Sequence, residues 1–109
     1  MLDLVHDGMM PVEKVADLMA HRVARLFRMR DRGFIRPGMK ADLVLVHPND
    51  PWTVRKDNVM SKCGWSPFEG HTFKSRVHET WVNGTCVWDG RRITTSQGNH
   101  VGQRLEFAR

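Results

Sequence analysis

Cysteine is scarce in this chain of 109 residues, and its two copies, Cys63 and Cys86, sit in no metal-binding pattern. Neither belongs to a Cys-x-x-Cys pair, and their spacing to nearby histidines matches no zinc-site pattern, which excludes a zinc ribbon or a redox dithiol. Two cysteines are also too few for a disulfide scaffold, so the expectation is two free thiols in a reducing compartment. Long apolar runs are missing too. Nothing approaches the roughly 18 apolar residues of a membrane-spanning helix. The first residues lack the pattern of a secretory leader, because Asp3, His6 and Asp7 interrupt any apolar stretch. The cytoplasm is the expected location, with no membrane partner. Internal repeats and low-complexity segments are absent.

The length suits one domain. At 27% charged and 40% hydrophobic residues, the composition is that of a globular chain and too apolar for intrinsic disorder. The net charge of +5 comes from 17 basic and 12 acidic side chains. Arg22, Arg25, Arg28, Arg30 and Arg32 fall close together. Without a nucleic-acid-binding motif or aromatics spaced for base stacking, this stripe reads as a solvated or protein-facing helix surface, and no nucleic-acid partner is expected.

The first third is helical in pattern. Met1 to His6 reads as the end of a helix stopped by Gly8, and Pro11 suits a first helical position. Val12, Val15, Ala16 and Met19 then recur at the spacing of a buried stripe. Val23, Leu26 and Phe27 carry the helix to about Met29, with Gly33 as its end. From Phe34 the texture turns to strands. Arg36-Pro37-Gly38 signals a turn. Leu43 to Val46 is a continuous apolar run expected to be a strand buried on both faces, and Trp52 to Val54 a second extended piece. Met60 to Gly70 has no period and reads as an ordered loop. A long strand is expected from about Phe73 to Val82, closed by the Asn83-Gly84 hairpin signal, with Cys86 to Trp88 returning. Asp89-Gly90 turns again, and Ile93 opens a weak strand before a polar tail. So few strands beside short helices would leave uncovered sheet edges and an exposed apolar face, the pattern of a piece whose partner surface lies elsewhere.

Three stretches carry a family resemblance. Gly33-Phe34-Ile35-Arg36-Pro37-Gly38-Met39-Lys40-Ala41-Asp42-Leu43-Val44 is widespread among amidohydrolases. Lys62-Cys63-Gly64-Trp65-Ser66-Pro67-Phe68-Glu69-Gly70 is sharper, and Val77-His78-Glu79-Thr80-Trp81-Val82-Asn83-Gly84 follows it. Together they resemble the C-terminal end of cyclic-amide amidohydrolases, a group that includes dihydroorotases, hydantoinases and dihydropyrimidinases. The Cys63 to Pro67 segment favours dihydroorotase. The resemblance spans about Met1 to Trp88.

It implies an α+β fragment, with the terminal helices of a TIM-barrel amidohydrolase in residues 1–32. The C-terminal strands of a small composite β-sandwich would follow in residues 33–109, including a loop at 59–71. It further implies reversible hydrolysis of dihydroorotate to carbamoyl-aspartate by the whole enzyme, with a divalent metal, zinc, activating water. The ligands implied are a His-x-His pair, a carboxylated lysine, further histidines and an aspartate. None maps here. No His-x-His occurs among His6, His21, His47, His71, His78 and His100. No catalytic, cofactor-binding or metal-binding residue is therefore assigned to the chain, and the partner expected is the remainder of the barrel, on the same or a separate chain. A homo-oligomer and a stand-alone, non-catalytic interaction module are the other outcomes.

His71 and His78, with Glu69 or Glu79, are set too far apart along one strand for a metal site, and His78 and Glu79 are expected on opposite faces. Cys63 beside His71 lacks the base and orienting group of a nucleophile. Trp65 and Phe68 read as anchors of the loop against the barrel, Asp42 as stabilising its turn by a hydrogen bond, and Arg55, Lys56 and Asp57 as a solvated loop. Met9, Met10, Met19 and Met29 read as core filling.

Overall fold

A computed structural model describes residues 1–95 and 101–108. Of the expected tail, residues 96–100, including His100, lie outside the described residues. The chain begins with α1 (Leu2–His6), stopped by Gly8. Pro11 stands one place earlier than expected, as an extended cap before α2 (Val12–Ala16). The helix continues through a π-helical turn over Asp17–His21 into α3 (Arg22–Leu26). Asp17 and Arg22, five residues apart, face each other across this wider turn at 2.7 Å.

α3 ends before Met29, and Gly33 is not its stop. Arg28 takes the left-handed conformation at φ 52°. Its N–H reaches the Arg25 carbonyl at 3.1 Å, while the Met29 N–H reaches Ala24 at 2.8 Å. These are the closing bonds that a glycine usually permits; here an arginine makes them. Gly33 has a different task. It lies at φ 86° against α3, where a Cβ would stand 2.3 Å from the Ala24 Cβ and 3.2 Å from the Ala20 carbonyl oxygen.

Pro37-Gly38 turns the chain as expected, closed by the Met39 N–H on the Arg36 carbonyl at 3.2 Å. Among the described residues five strands follow: β1 (Leu43–His47), β2 (Trp52–Thr53), β3 (Thr72–Phe73), β4 (Arg76–Val82) and β5 (Thr85–Trp88). The expected long strand from Phe73 is thus broken at Lys74 and Ser75. Its first part pairs with β2, and its second forms the centre of an antiparallel sheet ordered β1-β4-β5. The break has a local cause. The Trp52 indole N–H donates to the Ser75 carbonyl at 3.1 Å, and Ser75 is buried, so this carbonyl serves a side chain of the small sheet. Asn83 (φ 49°) and Gly84 (φ 81°) make the two-residue turn between β4 and β5, as their tolerance of positive φ predicts. Beyond β5, Ile93 makes only a single bridge to Trp88. Asp89 organises that corner by accepting the N–H groups of Arg91 and Arg92, both at 2.9 Å. The polar tail then returns to the helix exit. Phe107 bridges Met29, Arg30 donates to the Glu106 carbonyl at 2.9 Å, and Ala108 donates to Arg28 at 2.8 Å.

The interior is small. Only Ala24 (3% exposed) and Val54 (5%) are buried apolar residues among those described. The expected helix stripe faces outward at Val12 and Met19, and Met9 is exposed as well, which corrects the core reading for Met9 and Met19, while Met10 and Met29 are half-buried. β1, expected to be covered on both faces, is an edge strand with Val44 59% exposed. The accessible surface is 8689 Å², against roughly 6,200 Å² for a compact monomer of this mass. The radius of gyration is 15.7 Å, against roughly 13 Å. Both say that the apolar faces built by the sequence do not meet each other. No helix among the described residues is long and apolar enough to cross a membrane.

Candidate functional site

The best-built polar cluster joins four distant stretches of chain. Arg32 follows the left-handed residues Arg28 and Asp31, which turn the backbone back from α3 toward the sheet. Its guanidinium is nearly buried and donates to Asp42 Oδ2 and, at 2.8 Å, to Asn83 Oδ1. Asp42 stands at the entrance to β1, and its other oxygen accepts the Asn83 N–H at 2.9 Å. Asn83 in turn donates through Nδ2 to the Val101 carbonyl at 2.5 Å. Asp42 was expected to steady its own turn. Instead its carboxylate clamps the β4–β5 hairpin 41 residues away and holds the helix exit to it. The solvated-stripe reading is corrected at Arg32, which is buried inside an arginine-rich run whose other members are exposed.

Burial pulls the Asp42 carboxyl upward, but the Asn83 N–H and the Arg32 guanidinium outweigh it and hold the group below the ordinary 3.8. Asp3 is lowered as well, first by its hydrogen bond with His71 and then by the Lys74 N–H. Asp89 is lowered by the Arg92 and Arg91 N–H groups. Depressed carboxylates bind fewer protons folded than unfolded, so they stabilise the fold above 3.8 and lose that contribution as pH falls through their folded values. Acid titration of stability by urea melts should therefore show a decline that begins as pH drops toward 4. Asp42→Asn should flatten that decline; an unchanged slope in the variant would contradict the assignment.

A second cluster straps α1 to the sheet region. Asp3 and His71 Nε2 meet at 3.1 Å, the Lys74 N–H donates to Asp3 at 3.2 Å, and Lys74 Nζ pairs with Asp7. His6 Nε2 reaches the Pro48 carbonyl at 2.5 Å. Asp3, His6 and Asp7 lie at i, i+3 and i+4, one face of the helix.

The remaining candidates scatter. His71 serves Asp3, whereas His78 lies edge-on to His47 and 3.8 Å from Glu79 Oε1. His78 and Glu79 are thus neighbours, contrary to the strand alternation expected, because the β1–β4 register slips at this point. Cys63 contacts Ser61 Oγ at 3.0 Å and the Trp65 carbonyl at 3.4 Å. These bonds, Ser61 first, lower its thiol below the ordinary value. Neither partner is a base. Trp65 is 61% exposed, and Phe68, though also exposed, packs beside Phe73 and His71. Among the described residues no three His, Cys, Asp or Glu side chains converge to hold a metal ion. Among the described residues the donors do not fit the divalent metal that the resemblance implies. What the two clusters do is fasten segments.

Comparison with known proteins places this architecture. A model of the amidohydrolase family matches residues 4–88, nearly the span over which the resemblance was read. The chain is 39% identical over 103 residues to a dihydroorotase of Halobacterium salinarum, covering 94% of this chain and 24% of that protein. It is 30% identical over 105 residues to a dihydroorotase of Pyrococcus furiosus, covering 96% and 24%. With an allantoinase of Bacillus velezensis it shares 39% identity over 93 residues, covering 84% and 20%. The chain thus spans about a quarter of the length of the curated relatives it matches. Both the match to the family model and the relatives, shared over most of its residues, make this chain a member of the amidohydrolase family.

Proposed function

We propose that the chain is the C-terminal structural part of a dihydroorotase-like, metal-dependent hydrolase acting in the cytoplasm. In this reading residues 1–32 close the barrel, residues 33–109 complete a small β-sandwich, and the catalytic and metal-binding groups stand on the rest of the barrel. The whole enzyme would hydrolyse dihydroorotate reversibly to carbamoyl-aspartate, a step of pyrimidine biosynthesis. The observation that carries the reading is the outward-facing apolar set, Val12, Met19, Val23, Leu26, Val44 and Leu45, in a chain matching a quarter of its relatives' length. An exposed set of this size marks a surface made to be covered.

The purified 109 residues should not hydrolyse dihydroorotate, with or without added zinc. Metal-dependent turnover by this chain alone would overturn the reading. The allantoinase among the relatives makes allantoin the second substrate to assay on the whole enzyme. A stand-alone interaction module is the rival reading, favoured by the open edge of β1. A cooperative melt of a monodisperse chain would support the module, whereas aggregation or a molten state supports the structural part.

A further inference from the structure

We draw no further inference here: the strongest candidate, the open apolar hollow between the end of α3 and the returning tail, lined by Leu26, Phe27, Arg28, Phe107 and Ala108, is part of the outward-facing apolar surface already described, and nothing in the structure shows what covers it.

Discussion

Replacing Arg32 with methionine should destabilise the fold by about 2–4 kcal/mol, below the upper end for breaking a buried ion pair because Asp42 keeps contact with water. Methionine retains much of the apolar stem, so the loss isolates the guanidinium. Its removal leaves Asp42 Oδ2 and Asn83 Oδ1 without their donor and loosens the junction between the helix exit and the β4–β5 hairpin. Asp42→Asn alone should cost less, since the Asn83 N–H can still be accepted by an amide oxygen. The double variant should cost less than the sum of the two, because both act on one network. Urea melts of the four proteins measure this. Additive losses would mean that Arg32 and Asp42 do not share a junction.

Gly33→Ala is expected to be as severe. A left-handed backbone at an L-residue costs about 1–2 kcal/mol, and φ at Gly33 is 86°. The new methyl would also stand 2.3 Å from the Ala24 Cβ, adding an overpacking cost of about 1–3 kcal/mol. The two parts can be separated. Ala24→Gly in the Gly33→Ala background removes the clash but not the backbone penalty, and itself costs about 1 kcal/mol in a helix. Partial rescue is therefore expected if the clash is the larger part. Failure of the double variant to improve on Gly33→Ala at all would leave the backbone conformation as the main cause.

The turn chemistry of this fold is legible from sequence. Asn83-Gly84 and Pro37-Gly38 announce their turns, because few residues accept positive φ and those residues are present. The end of α3 is not legible, since an arginine at position 28 occupies the place where glycine is the usual signal. Strand length is not legible either. No glycine, proline, asparagine or aspartate interrupts Phe73 to Val82, whereas the bond from Trp52 to the Ser75 carbonyl, 23 residues away in sequence, falls where they divide. The return of Glu106 to Ala108 onto Arg28 to Arg30 is backbone pairing, which a polar tail does not advertise.

Burial is where sequence and structure part most clearly, and the reason is physical. Periodicity marks Val12, Met19 and the β1 run as apolar faces, yet Val12, Met19, Val44 and Leu45 are exposed in this chain. A pattern tells which face is apolar, never what lies against it. The same limit applies to the clusters. Asp42 was singled out because it follows a turn, but its partners Arg32 and Asn83 are brought by tertiary folding. The strap of Asp3, His6 and Asp7 likewise depends on Pro48, His71 and Lys74, far along the chain.

We propose above that this chain completes a larger hydrolase. Sequencing the DNA upstream of the Met1 codon and translating it in frame tests that most directly. An open frame running back through a lysine-bearing barrel strand to a His-x-His pair is expected. A stop codon and a ribosome-binding site immediately before Met1, with no separate gene encoding the remaining barrel, would contradict it.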